Sequence, residues 1–310
     1  MCKYMRMTEP PIPIVFIHIW KAPPAYLREA VKQARAWNLG TPIICISSVV
    51  ESYGYGEEWV SVDDIPLTET HAKFKATTLL PGVEYDGGFW QWTTERLFVL
   101  EDWMRWKGIG ECFHLENDNM LYQNISEIVP LLRQVSPGLS TTCHGIAAKD
   151  GQERACISVL YCSSVEALGR FTFFLAAAPS SIDEMTRGGM YWEDTPDECS
   201  YLAIAPMDIS LPAEREQYRR LIVDERFADY GMVFEAAAYG QYLGGQDPQH
   251  HKDGPGYMNP ECLVRADQYE YVWRTDALGR KYPTITDTGG HVWKIANLHI
   301  HCKRLADFSS

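Results

Sequence analysis

The sequence lacks several patterns that would assign it to a common class of protein. Its nine cysteines contain no Cys-x-x-Cys pair, and several, such as Cys45, stand within apolar runs. Such cysteines are typical of buried free thiols in a reducing compartment, not of a disulfide framework or a zinc site. No apolar run approaches the ~18 residues of a membrane span, and residues 1–13 contain no signal-peptide core. We therefore expect a cytoplasmic protein with no transmembrane segment, and leave open a peripheral membrane association through partners.

Positive charge is also scarce. The chain has 28 Lys and Arg residues against 41 Asp and Glu residues, a formal net charge of −13. This balance argues against nucleic acid or an anionic membrane as the main partner. An anionic ligand would need local neutralisation by a metal ion or by a few Arg and Lys side chains. No G-x-G-x-x-G stretch follows the first apolar run, which argues against a dinucleotide-binding protein.

What the chain contains in quantity is apolar and aromatic material. Of its 310 residues, 46% are hydrophobic and 22% are charged, values typical of a globular protein with a sizeable core. We find no internal repeat, low-complexity tract or linker, so we expect a single domain over residues 1–310. The ten Trp and 17 Tyr residues include rings that could stack on sugars or bases, although most are expected in the core.

The first third of the chain alternates strands and helices. Ile14–Trp20 is a continuous apolar run, typical of a strand buried on both faces. Pro23-Pro24 then open a helix whose apolar positions recur as far as Trp37. A second strand over Pro42–Ile46 completes a βαβ unit, and Trp59–Asp64 is predicted as a third, short strand.

The next segment repeats this alternation and ends in acidic residues. A long helix is predicted over Trp90–Lys107, stopped by Gly108, and the strand from Cys112 to Glu116 follows directly. Parallel strands joined by helices bind ligands beyond their carboxyl ends, where the strand order reverses. The pattern therefore predicts an α/β fold with a mostly parallel central sheet flanked by helices, and it places Glu116 at the ligand edge of that sheet.

The remainder of the chain is less regular, and we expect an α/β extension. The sequence predicts four further features there: a strand over Ala155–Tyr161, a helix over Val165–Ala178, a loop with a helix start over Asp183–Asp197, and a charged amphipathic helix over Glu214–Arg226.

Glu116 and Asp118 are spaced i, i+2. Successive strand side chains point to opposite faces, so these two carboxylates would share one face. Two adjacent carboxylates repel each other and favour a cation between them, and oxygen ligands suit Mg²⁺ or Mn²⁺. A solvated acidic turn would show the same pair of residues.

A late segment offers nitrogen groups in a similar alternation. The period of two puts His299, His301 and Lys303 on one face, with Leu298 and Ile300 facing the core. A metal-bound diphosphate needs one nitrogen ligand and one cation for the phosphate oxygens, and this face could supply both. An edge strand with a wet polar face is the alternative interpretation.

These stretches occur in an order that resembles the GT-A nucleotide-sugar glycosyltransferases. Glu116-Asn117-Asp118 stands at the D-x-D position, Arg96 in Thr93–Leu97 stands at the helix arginine, and a late His with a following Lys completes the set. The order is similar to that of the retaining galactosyltransferase and glycogenin-like group. Two runs, Glu235–Gly245 and His299–Lys303, look more like poorly characterised bacterial glycosyltransferase-like proteins.

The match has two departures. The first acid is Glu in place of Asp, which a metal tolerates. The late segment lacks the H-x-x-G-x-x-K-P-W form. For that reason neither the stereochemical class nor the identity of the metal-binding His carries over.

The resemblance implies an enzyme and a reaction. It implies a metal-dependent glycosyltransferase that uses Mn²⁺ or Mg²⁺ to move a sugar from a nucleotide-diphosphate sugar, a UDP-sugar being favoured, to a glycan, a glycoconjugate or another hydroxyl acceptor. Residues from about 10 to 130 would form the nucleotide-sugar-binding half of the GT-A domain. Residues from about 131 to 310 would form the acceptor half and a closing C-terminal strand.

The candidate site residues fall into three groups. The metal would be held by Glu116, Asp118 and His299, with His301 as the alternate. The donor would be bound by residues that follow the first strands and by the motif residues: His18, Trp20, Ser47, Asp63, Arg96, Asn117 and Lys303. An inverting enzyme needs a general base, for which the candidates are Glu235, Asp247, Asp183 and Glu184. A retaining enzyme needs none, and Gln241 resembles the polar residue near the reacting sugar.

Two other functions remain open at this point. A sugar-nucleotide pyrophosphorylase shares the fold, but it has a G-x-G-T-R-type loop after the first strand, where this sequence has His18–Pro24. A non-catalytic carbohydrate- or nucleotide-sugar-binding protein of the same fold would explain the many Trp residues. It would not require Glu116, Asp118, His299 and Lys303 together.

Overall fold

Thirteen strands are present in the part of the chain that the structure, a computed structural model, describes: residues 11–77, 88–147, 151–178, 182–246 and 254–310. The strands are β1 (Ile14–His18), β2 (Ile43–Ser47), β3 (Glu58–Ser61), β4 (Cys112–Leu115), β5 (Asn119–Leu121), β6 (Leu139–Ile146), β7 (Glu153–Cys162), β8 (Cys199–Tyr201), β9 (Met232–Val233), β10 (Glu270–Thr275), β11 (Lys281–Thr286), β12 (Val292–Ile295) and β13 (Asn297–His299).

A seven-stranded sheet forms the centre of the fold, in the order β3-β2-β1-β4-β7-β6-β8. The pairs β2–β3, β1–β2, β1–β4 and β6–β8 are parallel, and β7 is antiparallel to both of its neighbours. The strand order reverses at β1, which lies between β2 and β4. The predicted α/β fold with a mostly parallel sheet is therefore confirmed.

Helices cover both faces of this sheet. The helices of the described residues are α1 (Leu27–Trp37), α2 (Glu69–Thr77), α3 (Phe89–Lys107), α4 (Ile125–Val135), α5 (Val165–Ala177), α6 (Glu184–Asp194), α7 (Glu225–Ala228) and α8 (Tyr239–Gly244), of which α7 and α8 pack on the smaller sheets. Strand β1 shows why both faces are covered: Ile14 and Phe16 pack in one hydrophobic cluster, whereas Val15 and Ile17 pack in the other. An uninterrupted apolar run is what a strand between two helical layers requires.

The end of α3 shows how a local signal fixes where β4 begins. Gly108 lies in the left-handed region with φ 66°, and its N–H donates to carbonyls of the last helical turn. Glycine adopts this conformation at no steric cost. Only four residues, 108–111, separate the end of α3 from the start of β4. Helix α3 lies against the sheet with Leu97, Leu100 and Met104 fully buried.

Two smaller sheets position the C-terminal segment. Strands β10, β11, β12 and β9 form one of them in that order, and β13 pairs antiparallel with β5 in the other. His299 is the register partner of Asn119, and the N–H of Ile300 donates to the carbonyl of Asp118 at 2.9 Å. This pairing brings the late histidines against the acidic stretch, although 181 positions separate Asp118 from His299.

Three predicted elements differ in the structure. The helix predicted over Glu214–Arg226 is a 3-10 segment, Ala213–Leu221, followed by the separate short helix α7, which Asp224 caps through the N–H of Arg226. The Asp183–Asp197 segment contains the complete helix α6. Strand β4 ends at Leu115, so Glu116 lies just beyond it. Among the described residues, no helix is both long enough and apolar enough to cross a lipid bilayer.

Candidate functional site

A cavity of about 360 Å³ opens at the carboxyl ends of β1 and β4, where the strand order reverses. This is the edge at which the topology predicts a ligand. The residues that line it come from the two strand ends, from α3 and from the C-terminal segment: Ile17, His18, Ile19, Trp20, Tyr26, Phe89, Trp92, Thr93, Arg96, Glu116, Asn117, Asp118, Gln246, His299, His301 and Lys303.

Three side chains on the wall of the cavity converge as metal ligands would. The Nε2 atom of His299 lies 3.0 Å from Oε2 of Glu116 and 3.1 Å from Oδ1 of Asp118. One ligand atom from each of these residues lies within 4.8 Å of the other two. Two carboxylate oxygens and one imidazole nitrogen form a donor set that suits Mn²⁺ and is compatible with Mg²⁺.

The other oxygen of each carboxylate contacts a cation. The guanidinium of Arg96 contacts Oε1 of Glu116, and its second nitrogen lies 3.0 Å from Oε1 of Glu184. The ammonium of Lys303 contacts Oδ2 of Asp118. The carboxylates are therefore held in place by Arg96 and Lys303, each with its second oxygen directed toward His299.

These contacts shift the ionisation of the whole cluster. Burial opposes the charged form of Glu116, but Arg96 and His299 outweigh it and hold the pKa of Glu116 below its ordinary value. Burial likewise opposes ionisation of Asp118, and His299 and Lys303 lower its pKa. For His299, burial is outweighed by Asp118, which raises its pKa well above the usual range. The cluster therefore favours two carboxylates facing a protonated imidazole, and a divalent cation would replace that proton.

Glu184 is a buried neighbour that the sequence reasoning considered only as a base. Burial raises its pKa to about 7, although the guanidinium of Arg96 acts in the opposite direction. The Arg96 side chain lies between Glu184 and Glu116. In the structure Glu184 thus holds Arg96 and is not among the residues that line the cavity.

An aromatic wall closes one side of the cavity. The rings of Trp20 and Trp92 are nearly parallel, with planes 13° apart and centroids 6.3 Å apart, and the ammonium of Lys21 lies 3.5 Å from the ring centroid of Trp20. Sequence reasoning selected Trp20 but missed Trp92, together with Tyr26 and Phe89. The signal for Trp92 was its position four residues before Arg96 on α3, since residues at i, i+4 share one helix face.

His18 and Asn117 form the end of the cavity nearest the sheet. The amide nitrogen of Asn117 lies 3.1 Å from Nδ1 of His18 and donates to the carbonyl of Ile17 at 3.1 Å. Burial and the nearby Lys21 lower the pKa of His18, which favours the neutral ring. The pair thus presents polar atoms to a ligand without adding charge.

Two residues predicted to bind the donor lie elsewhere. Ser47 is fully buried at the end of β2, where its hydroxyl accepts from the N–H of Val49 at 3.3 Å. Asp63 is exposed in a 3-10 turn that begins after Ser61. Neither of them is among the residues that line the cavity. Ser47 is the register partner of His18, but its side chain is fully buried, and Asp63 follows β3, the edge strand of the sheet.

The three residues predicted to be catalytic have different positions. Glu235 is fully buried, and its carboxylate accepts backbone N–H groups of Ala238 and of Gly240, the latter at 2.8 Å, at the start of α8. Burial raises the pKa of Glu235 to about 7. This capping position does not favour the role of a base. Gln241 contacts His301 from α8, and Asp247 lies outside the described residues.

Comparison with known proteins gives structural neighbours. No protein-family model matches the chain, and no curated protein sequence matches it. The neighbours include mouse xyloside xylosyltransferase 1 in its apo form, with 10% identity, a TM-score of 0.42, and 62% of this chain and 85% of that chain covered. They also include galactosyltransferase LgtC in complex with donor and acceptor sugar analogs, with 13% identity, a TM-score of 0.43, and coverage of 69% and 84%.

A third neighbour is the glycosyltransferase GlyE of Streptococcus pneumoniae, with 12% identity and a TM-score of 0.40. The match spans 62% of this chain but only 45% of that longer one. These neighbours are GT-A glycosyltransferases, the class that the sequence motifs resemble.

Proposed function

We propose that this protein is a metal-dependent glycosyltransferase that uses a nucleotide-diphosphate sugar, with a UDP-sugar as the favoured donor. The observation that carries the proposal is the convergence of Glu116, Asp118 and His299 beside Lys303, in a cavity at the point where the strand order reverses. A diphosphate needs a metal ion and a cation at this edge of an α/β sheet, and both can be supplied there.

Each lining residue has a role in this proposal. Glu116, Asp118 and His299 would hold Mn²⁺ or Mg²⁺, which when bound neutralises charge on the leaving diphosphate. Lys303 donates to phosphate oxygens, and Arg96 orients Glu116. The rings of Trp20 and Trp92 stack on the base or the sugar, and His18 and Asn117 bind polar atoms of the donor.

The acceptor half, residues from about 131 to 310, would deliver a glycan, a glycoconjugate or another hydroxyl acceptor. Glu116 and Asp118 are the only carboxylates that line the described cavity, and both contact cations. This favours a mechanism that needs no separate base. As the compartment we propose the reducing cytoplasm, since the eight described cysteines are buried free thiols.

The same observation supports a second candidate, a nucleotide-sugar-binding protein that does not transfer the sugar. A cavity in which both carboxylates contact cations is compatible with donor binding alone and also with a sugar transfer that needs no base. The two candidates differ in turnover and agree in metal-dependent binding of the nucleotide.

Calorimetry with UDP in the presence of Mn²⁺ or of EDTA tests the proposal. A transferase of this kind binds UDP far better with Mn²⁺, because the ion carries the phosphate contact. Slow hydrolysis of UDP-sugars in the presence of Mn²⁺ then separates the enzyme from the binding protein. Binding of free glycan that is equal with Mn²⁺ and EDTA, together with no binding of UDP, would refute both donor-site candidates.

A further inference from the structure

We propose that Gln241 positions the metal site by fixing, through His301, which nitrogen of His299 faces Glu116 and Asp118. The inference rests on the proposed metal-dependent function. The side chains of Gln241, His301 and His299 form a series of contacts that leads to the two carboxylates. The amide of Gln241 is 3.1 Å from Nδ1 of His301, and Nε2 of His301 is 3.3 Å from Nδ1 of His299. The Nε2 atom of His299 then faces the carboxylates.

The direction of the hydrogen bonds along this line follows from the chemistry of the ligand. An imidazole that binds a metal through Nε2 carries its proton on Nδ1. In His299 that N–H faces Nε2 of His301 at 3.3 Å, and the side chain of Cys156 is a further hydrogen-bond neighbour of the His299 ring. In the proposed arrangement Nε2 of His301 accepts this N–H. The one proton of a neutral His301 then lies on its Nδ1, where it requires an acceptor. The atom of Gln241 that meets it must be the amide oxygen.

Gln241 is able to provide this acceptor. The structure orients its amide nitrogen toward His301, and the amide oxygen is buried with no hydrogen-bond partner among the described residues. The two ends of a glutamine amide exchange by a half-turn, and their assignment follows from the hydrogen-bond network. One such rotation gives the oxygen a donor in His301. Gln241 is only 5% exposed, so bulk water does not supply that partner.

The helix that carries Gln241 is held tightly against the late histidines. A Cβ atom at Gly240 would lie 2.1 Å from the carbonyl oxygen of His299, so α8 approaches this segment as closely as glycine permits. The capping carboxylate of Glu235 fixes the start of the same helix. Helix α8 therefore acts as a rigid support from which Gln241 sets the orientation of the two imidazoles.

The affinity of the full-length protein for Mn²⁺ alone, measured by calorimetry or by the paramagnetic resonance of free Mn²⁺, tests this role. Gln241→Met keeps the length of the side chain and removes its hydrogen bonds. Loss of a partner behind a metal-bound His costs about 10- to 100-fold in metal affinity, and we expect a loss in that range. The matched control is Gln33→Met, which removes another buried amide, one that contacts Leu121 and Ser310 away from the cavity. It should bind Mn²⁺ as the wild type does.

An acceptor at position 241 should rescue binding. Gln241→Glu retains an oxygen for His301, so this variant, unlike Gln241→Met, should bind Mn²⁺ at least as tightly as the wild type does. Because the new carboxylate also attracts a cation, the double variant Gln241→Met with Gln246→Glu places the same charge at the cavity without the contact to His301. If this double variant restores binding as fully as Gln241→Glu does, charge alone is responsible and the relay is wrong.

A direct readout does not depend on any variant folding. Long-range ¹H–¹⁵N spectra of the wild type with Mg²⁺ should show the proton of His301 on Nδ1. A proton on Nε2, or a folded Gln241→Met variant that binds Mn²⁺ as tightly as the wild type, would overturn the positioning role and leave the metal site in place. A wild type that binds no divalent cation would refute the proposed function, and the relay with it.

Discussion

Lys303 contacts Asp118 across 185 positions of the chain, from a backbone with a φ of 60°. This left-handed conformation costs a residue with a side chain about 1–2 kcal/mol. Strand β13 has already ended at His299, and the N–H of Lys303 donates to the carbonyl of Ile300 at 3.1 Å in a turn. It is therefore a turn, and not strand alternation, that brings the ammonium to the metal site.

The first prediction concerns this ammonium. Lys303→Ala should weaken UDP binding in the presence of Mn²⁺ by about 10- to 100-fold, since a hydrogen bond to a charged group contributes about 1.5–3 kcal/mol. Affinity for Mn²⁺ alone should stay the same or rise, because a competing cation leaves Asp118. Separate titrations with Mn²⁺ and with UDP check both statements. Lys107→Ala, which removes an exposed charge outside the cavity, serves as the control. Equal losses for metal and nucleotide would contradict the assignment.

A second prediction concerns Asp118 itself. Asp118→Asn should reduce Mn²⁺ affinity by more than the roughly 100-fold that outer partners can cause, because it removes a charged ligand. Its melting temperature should also fall, since His299 and Lys303 lose a counter-charge that is only 8% exposed. Asp63→Asn makes the same change at an exposed position and should alter neither quantity. If Asp63→Asn lowered UDP affinity, it would restore the donor role that the sequence suggested for Asp63.

A third prediction tests the aromatic wall. Trp92→Ala should lower UDP or UDP-sugar affinity by about 5- to 100-fold, the range for loss of one aromatic stacking contact with a base, about 1–3 kcal/mol. Trp106→Ala, on the same helix but 42% exposed and outside the cavity, is the matched control. Calorimetry of both variants in Mn²⁺ provides the comparison, and equal affinities would remove Trp92 from the site.

Glu235 gives a fourth prediction, which separates a cap from a catalytic base. Glu235→Gln should lower the free energy of unfolding by about 1 kcal/mol, a usual value for a lost cap, because an amide offers one acceptor to two N–H groups. The turnover of the folded variant should stay within a few-fold of wild type. Denaturant unfolding and steady-state kinetics measure the two effects. A loss of turnover of about 100-fold or more, in the range of general-base catalysis, without loss of stability would identify Glu235 as the base.

The fifth prediction concerns pH and a buried histidine away from the cavity. Nδ1 of His71 lies 2.5 Å from Asp102 and Nε2 lies 3.3 Å from Glu95. Burial lowers the pKa of His71, but the two carboxylates outweigh it and the net shift is upward. Because the pKa of His71 is raised, its ion pairs stabilise the folded state fully at pH values below the unfolded pKa of about 6.5. This stabilisation is lost as pH rises through the folded pKa of His71.

The free energy of unfolding at several pH values tests this sign. Between pH 6 and 9 the wild type should lose stability relative to His71→Gln, which cannot take up a proton. Glu95 has the opposite effect at acidic pH. Burial raises the pKa of Glu95, but His71 and Lys75 outweigh burial and the net shift is downward. The free energy of unfolding therefore falls as pH drops through the folded pKa of Glu95. Parallel curves for the wild type and His71→Gln above pH 6 would show that His71 does not titrate there.

Elements of the fold could be predicted from the sequence where they depend on residues that are close together along the chain. The strands β1 and β2, the helix α3 with its stop at Gly108, and the acidic pair at the end of β4 could all be predicted, because hydrophobic period, glycine conformation and strand alternation act over a few residues. The predicted helix over Glu214–Arg226 was wrong because Asp224 starts a new helix there. A charged amphipathic pattern alone does not show where one helix ends and the next begins.

By itself, the sequence determined the sheet, its ligand edge and the residue types available there, since these depend on neighbours along the chain. Only the tertiary structure decided which of them meet. The register of β13 on β5 turned His299 toward the carboxylates and left His301 behind it, against Gln241. The packing of α6 brought Glu184 to Arg96 across 88 positions. The fold also stacked the ring of Trp20 against that of Trp92 in the wall of the cavity. Contacts between distant positions leave no local pattern, because their geometry depends on how whole elements pack.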